Sequence, residues 1–207
     1  MSSDQSKHPI TTADAVTREV CFAGNAKKLD SAAVIISAAR NLKALLGPVE
    51  GACYRYALFL RLFLKEHFDI DGEAVVGFVN DGSNEVYSSH AWFEYEGRKT
   101  DLAISRPLMS ELPGPLTIHG VELAPGHAWT YHRRRTKEGE LLVKMLLNSG
   151  HRATSVLCGK EAEHNTMTLI SEKDNLIRWF LGRAPDGFTY RRLATAVKNG
   201  MVLATKL

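Results

Sequence analysis

Hydrophobic and polar positions follow helical spacing near the start of the chain. Residues 31–46 (SAAVIISAARNLKALL) place apolar side chains on one face, after Asp30 as the start signal and before Gly47 as the stop signal. Residues 51–68 (GACYRYALFLRLFLKEHF) are apolar on nearly every face. A helix that is apolar all round is typical of a position buried on all sides. The second segment therefore predicts the central helix of the protein.

The middle of the chain changes to the alternating pattern of β-strands, interrupted by turn dipeptides. We expect strands, in chain order, over residues 72–79, 85–95, 98–105, 116–123, 127–133 and 140–147. Glu96-Gly97 and Glu138-Gly139 are the dipeptides that predict tight hairpin turns between neighbouring strands. The region therefore predicts a run of antiparallel hairpins.

Helical patterns return in the last third. Residues 171–174 (SEKD) resemble a capping box ahead of a helix over 175–182, and residues 188–198 predict another helix. A short helix is also expected over 11–22, after ten polar residues that we expect to be flexible. Helices, then hairpins, then helices predict an α+β fold: a central buried helix on an antiparallel sheet, with flanking N- and C-terminal helices. No linker divides the chain, so one domain over 1–207 is expected.

Composition narrows the classes of function. The net charge of +3 is spread among 23 acidic residues, which argues against a nucleic-acid partner, and no apolar run is long enough to suggest a membrane span. The N-terminal pattern does not resemble a secretory signal. Cys21, Cys53 and Cys158 show neither paired nor metal-ligand spacing, so we expect free thiols in a reducing, cytoplasmic compartment, with no metal and no cofactor. The oligomeric state is not predicted.

Cys53 is the first candidate for chemistry. It stands at the expected N-terminus of the buried helix, where the helix dipole and unpaired backbone N–H groups stabilise a thiolate. The same N–H groups are suited to stabilising an oxyanion during acyl transfer. The competing interpretation is a buried structural cysteine, because free cysteines are among the most buried residues.

His90 and Asp101 form the second candidate. If Glu96-Gly97 is a two-residue turn, Trp92 lies opposite Asp101, and His90 is a diagonal neighbour of Asp101 on the same face. A carboxylate on one imidazole nitrogen fixes the tautomer and leaves the other nitrogen free to take a thiol proton. A shift of one residue would move Asp101 to the opposite face. The pair therefore depends on the register of this hairpin.

These segments together resemble the transglutaminase-like superfamily. The resemblance rests on Gly-Ala-Cys before a hydrophobic helix, Ser-His-Ala-Trp-Phe-Glu-Tyr-Glu-Gly-Arg from Ser89, and Thr-Asp-Leu from Thr100. The same residues are also similar to the bacterial peptidase-like branch of this superfamily, which includes leader-peptide proteases. The resemblance implies a papain-like fold with Cys53 as nucleophile, His90 as base and Asp101 as the residue that orients the base. Glu50 stands where papain-like enzymes keep a glutamine, so the second oxyanion donor stays unassigned, with Tyr54 as a candidate.

His127 is a rival base. A hairpin turn at Glu138-Gly139 would place Asn148 diagonal to it on one face, and Cys53, His127 and Asn148 would then resemble a Cys-His-Asn set. Either set predicts a cysteine-dependent acyl-transfer enzyme, acting on a peptide or a small amide as a hydrolase or as an amine acyltransferase. The alternative is a catalytically inactive papain-like domain that acts as a binding module.

Overall fold

The structure is a computed structural model that describes residues 30–47, 49, 52–83, 87–105, 112–149, 154–183 and 189–201. Within these residues the chain forms six helices and six strands. The helix expected over 11–22, the polar first ten residues and Cys21 lie outside the described residues, as do Glu50 and Gly51.

The first two helices match their predictions. Helix α1 spans Ser31–Leu46; it begins at Asp30, whose carboxylate accepts a hydrogen bond from the N–H of Ala32, and it ends at Gly47, whose φ of 64° suits glycine. Helix α2 spans Cys53–Phe68 and ends at Asp69 in the left-handed conformation. Its side chains are buried on most faces, as the apolar pattern predicts.

The described residues contain six strands, and four of them form one antiparallel sheet. The strands are β1 (Glu73–Asn80), β2 (Ser88–Tyr95), β3 (Arg98–Thr100), β4 (Leu116–Ile118), β5 (Val121–Ala124) and β6 (Thr130–His132). The sheet has the order β3-β2-β1-β6, whereas β4 and β5 form a separate hairpin. Asp101 joins the two, because its backbone pairs with that of Thr117.

The hairpin between β2 and β3 has the predicted turn and the predicted register. Phe93 lies opposite Thr100 and Tyr95 opposite Arg98, with Glu96 and Gly97 in the turn at positive φ. The third strand is shorter than expected and ends at Thr100 instead of continuing to residue 105. The carboxylate of Asp101 accepts hydrogen bonds from the next N–H groups in the chain, which turns the backbone away from the sheet.

The prediction of a strand over residues 140–147 is wrong. Residues 137–148 form helix α3 (Lys137–Asn148), capped by Thr136, whose hydroxyl accepts a hydrogen bond from the N–H of Gly139. Acidic residues in the first turn and good helix formers after it stabilise this helix. Glu138-Gly139 is therefore not a hairpin turn, and the strand expected over 127–133 is reduced to β6, which pairs with β1.

Two of the last three helices lie where the sequence predicts them, with one capping signal misplaced. The helices are α4 (Thr154–Ser171), α5 (Asp174–Gly182) and α6 (Tyr190–Gly200), of which α4 is a helix that the sequence analysis did not predict. Ser171 does not cap α5: it is the last residue of α4, and its hydroxyl donates to the carbonyl of Thr168. Residue Lys173 occupies the cap position of α5 without a side-chain hydrogen bond.

Helix α2 lies between the sheet and the other helices. It packs against β1 and β2 on one side and against α1 and α5 on the other, while α4 packs on β1 and β2. Phe59 and Phe63 stack at 5.3 Å within α2 and are fully buried; burying a side chain of this size contributes about 1.5–3 kcal/mol. Apolar side chains of the sheet and of all these helices belong to one buried cluster. The described residues thus form a mixed α/β structure with an antiparallel sheet.

Among the described residues, no helix combines the length and the hydropathy that crossing a membrane requires.

Candidate active site

Cys53 is the first residue of helix α2, where the sequence predicts it. The residue before it, Ala52, makes no side-chain capping hydrogen bond, so the first-turn N–H groups are not satisfied by a capping side chain. Cys53 is a free thiol with 7% of its surface exposed. A thiol at this end of a helix lies in a position that favours a negative charge on sulfur.

His90 and Asp101 lie together, as the hairpin register predicts. The Nε2 atom of His90 is 2.7 Å from Oδ2 of Asp101. His90 is 6% exposed and Asp101 is 1% exposed, so the pair is shielded from water. A hydrogen bond of this length between buried groups holds the imidazole in one orientation.

The carboxylate of Asp101 is held at both oxygens. Oδ1 accepts hydrogen bonds from the N–H groups of Ala103 at 2.9 Å and Ile104 at 3.1 Å. Oδ2 accepts from His90 and from the hydroxyl of Tyr131 at 2.8 Å. These four donors satisfy the buried charge and leave the carboxylate little freedom to rotate.

The charges of the pair stabilise one another. Burial by itself lowers the pKa of His90, but the negative charge of Asp101, the charge of Cys53 and hydrogen bonds to both raise that pKa to about 10. Burial likewise opposes ionisation of Asp101, yet the positive charge of His90 and the hydrogen bonds to the carboxylate hold its pKa below its ordinary range. An ionised carboxylate therefore faces a protonated imidazole at neutral pH.

Cys53 acts on the same imidazole, because it is one of the groups that raise the pKa of His90. Because Nε2 of His90 is bonded to Asp101, the nitrogen left for the thiol is Nδ1. A thiol on one nitrogen and a carboxylate on the other is the arrangement that a thiolate–imidazolium pair requires. The structure thus brings together the three residues selected from the sequence.

Tyr131 is a site residue that the sequence analysis missed. It lies on β6, at the sheet edge opposite β3, which in a flat sheet is about 14 Å away. Its hydroxyl nevertheless reaches Asp101, so the sheet curls around this face. The ring of Trp92 contacts Tyr131 edge-to-face with centroids 5.2 Å apart, and Nζ of Lys99 lies 3.1 Å from the Tyr131 ring centroid. No local signal identifies Tyr131, because its partner is 30 residues away.

A second polar cluster lies beside the first. The hydroxyl of Tyr54 is 2.6 Å from Oγ of Ser89, and that Oγ is 2.6 Å from Nδ1 of His164 on α4. Burial raises the pKa of Tyr54 above its ordinary range and lowers the pKa of His164. The hydrogen bond to Ser89 thus occupies the Tyr54 hydroxyl, which the sequence left as a candidate oxyanion donor.

The rival set of His127 and Asn148 loses the geometry on which it was based. Residue Asn148 ends helix α3 instead of lying on a strand paired with residue 127. His127 is exposed, and its Nε2 donates a hydrogen bond to the carbonyl of Asp81 at 2.6 Å. The predicted hairpin that would have made these two residues neighbours does not exist.

No family model, no curated protein and no solved structure matches the chain. In the described part of the chain, no group of three or more His, Cys, Asp or Glu side chains is arranged to hold a metal ion.

Proposed function

We propose that the protein is a cysteine-dependent acyl-transfer enzyme in which Cys53 is the nucleophile, His90 the general base and Asp101 the residue that orients His90. One observation carries the proposal. The buried 2.7 Å hydrogen bond from His90 to Asp101 leaves the other imidazole nitrogen for the thiol of Cys53, which interacts with that ring from the start of helix α2. Orientation of the base by a carboxylate is what nucleophilic catalysis by a thiol needs.

The reaction follows from these three side chains. In the thiolate–imidazolium pair the proton of Cys53 already resides on His90, and Sγ of Cys53 attacks the substrate carbonyl carbon, forming an S–C bond. The backbone N–H groups at the start of α2 are suited to stabilising the oxyanion. The C–N bond breaks as His90 gives its proton to the leaving amine. Water or a second amine then attacks the thioester and gives its proton to His90; the C–S bond breaks, the acid or new amide leaves, and the proton on His90 restores the Cys53–His90 pair.

We propose a papain-like fold of the transglutaminase-like kind for this enzyme. A buried helix that starts with Cys53 and packs on an antiparallel sheet supports it, as do His90 and Asp101 beside one hairpin of that sheet. A peptide or a small amide is the substrate class we propose first, and transfer to an amine is the second outcome of the same chemistry. A cytoplasmic location fits an enzyme whose thiol must stay reduced.

Alkylation by iodoacetamide tests the nucleophile. We would measure the rate at Cys53 between pH 5 and pH 9 and compare it, in the same molecules, with the rate at the exposed Cys158. We expect Cys53 to react faster than Cys158 below pH 8, although it is mostly buried, because His90 supports its thiolate. A Cys53 that reacts no faster than Cys158 at any pH would overturn the proposal in favour of the binding module.

An acyl-enzyme trap tests the chemistry itself. Incubation with p-nitrophenyl acetate should release p-nitrophenol in a burst and leave an acetyl group on Cys53, detected by peptide mass spectrometry. The Cys53→Ala variant should show no burst, whereas the matched Cys158→Ala variant should keep it. Acetylation spread equally over Cys53 and Cys158, with no burst, would contradict an acyl-transfer function.

A further inference from the structure

The side chains next to the proposed nucleophile and base are hydrogen-bonded to each other. Tyr54 follows Cys53 on helix α2, and Ser89 precedes His90 on strand β2. The Tyr54 hydroxyl and Oγ of Ser89 are 2.6 Å apart. This bond therefore ties the start of the helix to the start of the strand within one residue of each reacting group.

A third residue extends this connection to helix α4. Nδ1 of His164 lies 2.6 Å from Oγ of Ser89. The His164 ring is stacked on Phe78 at 4.2 Å, which holds it against the sheet. We call Tyr54, Ser89 and His164 the hydroxyl clamp.

The charges around His164 leave its Nδ1 able to accept a hydrogen bond. Burial lowers the pKa of His164, and of the two charged groups that act on it, Glu161 opposes the lowering while Arg135 reinforces it. Arg135 and Glu161 are paired with each other, with one N–O distance of 2.7 Å. With a neutral ring that carries its proton on Nε2, Nδ1 of His164 accepts a hydrogen bond from the Ser89 hydroxyl, and Oγ of Ser89 accepts one from the Tyr54 hydroxyl.

We propose that the hydroxyl clamp is a set of positioning residues that holds Cys53 in contact with His90. The inference rests on the proposed function, because it concerns the same thiol and imidazole. Among the described residues, no backbone hydrogen bond joins helix α2 to strand β2. Side-chain contacts alone therefore set the distance between these two elements. The hydrogen bond between Tyr54 and Ser89 fixes that distance more firmly than apolar contacts, which are not directional. The bond between Ser89 and His164 holds the Ser89 hydroxyl in place for it, and Tyr54 is buried while Ser89 and His164 are half-buried.

Tyr54→Phe tests the clamp, and Tyr56→Phe is its matched control. Tyr56 lies on the same helix and donates to the carbonyl of Gly47, away from Ser89. We expect Tyr54→Phe to lower the alkylation rate of Cys53 at pH 6–7 about fivefold to tenfold relative to Cys158, as one lost hydrogen bond does. Its rate–pH profile should move toward that of Cys158, whereas Tyr56→Phe should keep the wild-type profile.

Three further variants protect the test from a folding defect. Ser89→Ala should reproduce the Tyr54→Phe profile with the phenol retained. His164→Asn keeps an acceptor near the position of Nδ1 and should retain most of the wild-type rate, whereas His164→Ala should not. Far-ultraviolet circular dichroism identifies variants that are folded, and only these are compared.

The outcomes separate the two proposals. A wild-type Cys53 no faster than Cys158 overturns the proposed function. A fast wild-type Cys53 with the same profile in Tyr54→Phe, Ser89→Ala and Tyr56→Phe overturns the clamp and leaves the function intact. A selective loss in Tyr54→Phe and Ser89→Ala, with rescue by His164→Asn, supports the clamp.

Discussion

Replacement of Asp101 by asparagine keeps the size of the side chain and removes its charge. The asparagine carbonyl can still accept from the N–H groups of Ala103 and Ile104, which places the amide nitrogen where Oδ2 meets His90 and Tyr131. That nitrogen is a donor, and it faces two donors. His90 must then accept at Nε2 and carry its proton on Nδ1, the nitrogen that should receive the proton of Cys53.

The cost to stability follows from burial. Asp101 is 1% exposed, and removal of one partner from a buried charged pair costs about 3–5 kcal/mol in the free energy of unfolding. In this variant Nδ1 of His90 can no longer act as the proton acceptor. The reaction of Cys53 with p-nitrophenyl acetate should therefore slow by about 10²–10⁴-fold, the usual contribution of general acid–base catalysis.

The stability loss should depend on pH. Because the pKa of Asp101 is lowered in the folded protein, its ionisation contributes fully to the free energy of unfolding above pH 3.8. This contribution is lost as the pH falls through the folded-state pKa. Because the pKa of His90 is raised in the folded protein, its protonation contributes fully to the free energy of unfolding below pH 6.5. This contribution is lost as the pH rises through about 10. The difference between Asp101→Asn and the wild type should therefore be largest between pH 3.8 and pH 6.5.

Urea unfolding at pH 5, pH 7 and pH 9 measures this difference. Asp71→Asn is the control, because the side chain of Asp71 is 79% exposed and 3.9 Å from Lys65, so its loss should cost no more than about 1 kcal/mol at any of these pH values. A cost for Asp101→Asn that equals the Asp71→Asn cost, or that is the same at pH 5 and pH 9, would refute the buried charged pair.

Three further variants probe the site and its surroundings. Tyr131→Phe removes one donor from the carboxylate of Asp101 and should cost about 1–3 kcal/mol by urea unfolding; an unchanged midpoint would show that the bond contributes nothing. Gly77→Ala places a Cβ 2.5 Å from a backbone carbonyl of β6 and 2.8 Å from an indole ring, and it should cost about 1–3 kcal/mol; a midpoint equal to the wild type would contradict this packing. Asn148→Ala should leave the alkylation rate of Cys53 unchanged, because Asn148 ends helix α3; a large loss would revive the rival set.

The local parts of the candidate site could be predicted from the sequence. His90 and Asp101 are 11 residues apart across a two-residue turn at Glu96-Gly97, and that turn sets the register that places them on one face. The all-round apolar pattern of helix α2 likewise depends on the segment itself, so it identifies Cys53 as a helix start without knowledge of any other element.

Residues 140–147 show where a local pattern is insufficient. A short apolar run is compatible with a strand or a helix, and here the cap at Thr136 and the first-turn acids decide for helix α3. The predicted turn at Glu138-Gly139 disappears with the strand, and the proposed neighbourhood of His127 and Asn148 disappears with it.

By itself the sequence determined the elements whose signals are local: helices α1, α2, α5 and α6 and the hairpin that carries His90 and Asp101. Only the tertiary structure decided which distant side chains meet them. Tyr131 reaches Asp101 because the sheet curls, and His164 reaches Ser89 because α4 packs on the sheet. The physical reason is that periodicity and turn chemistry act over a few residues, whereas contacts between elements depend on how whole faces pack together.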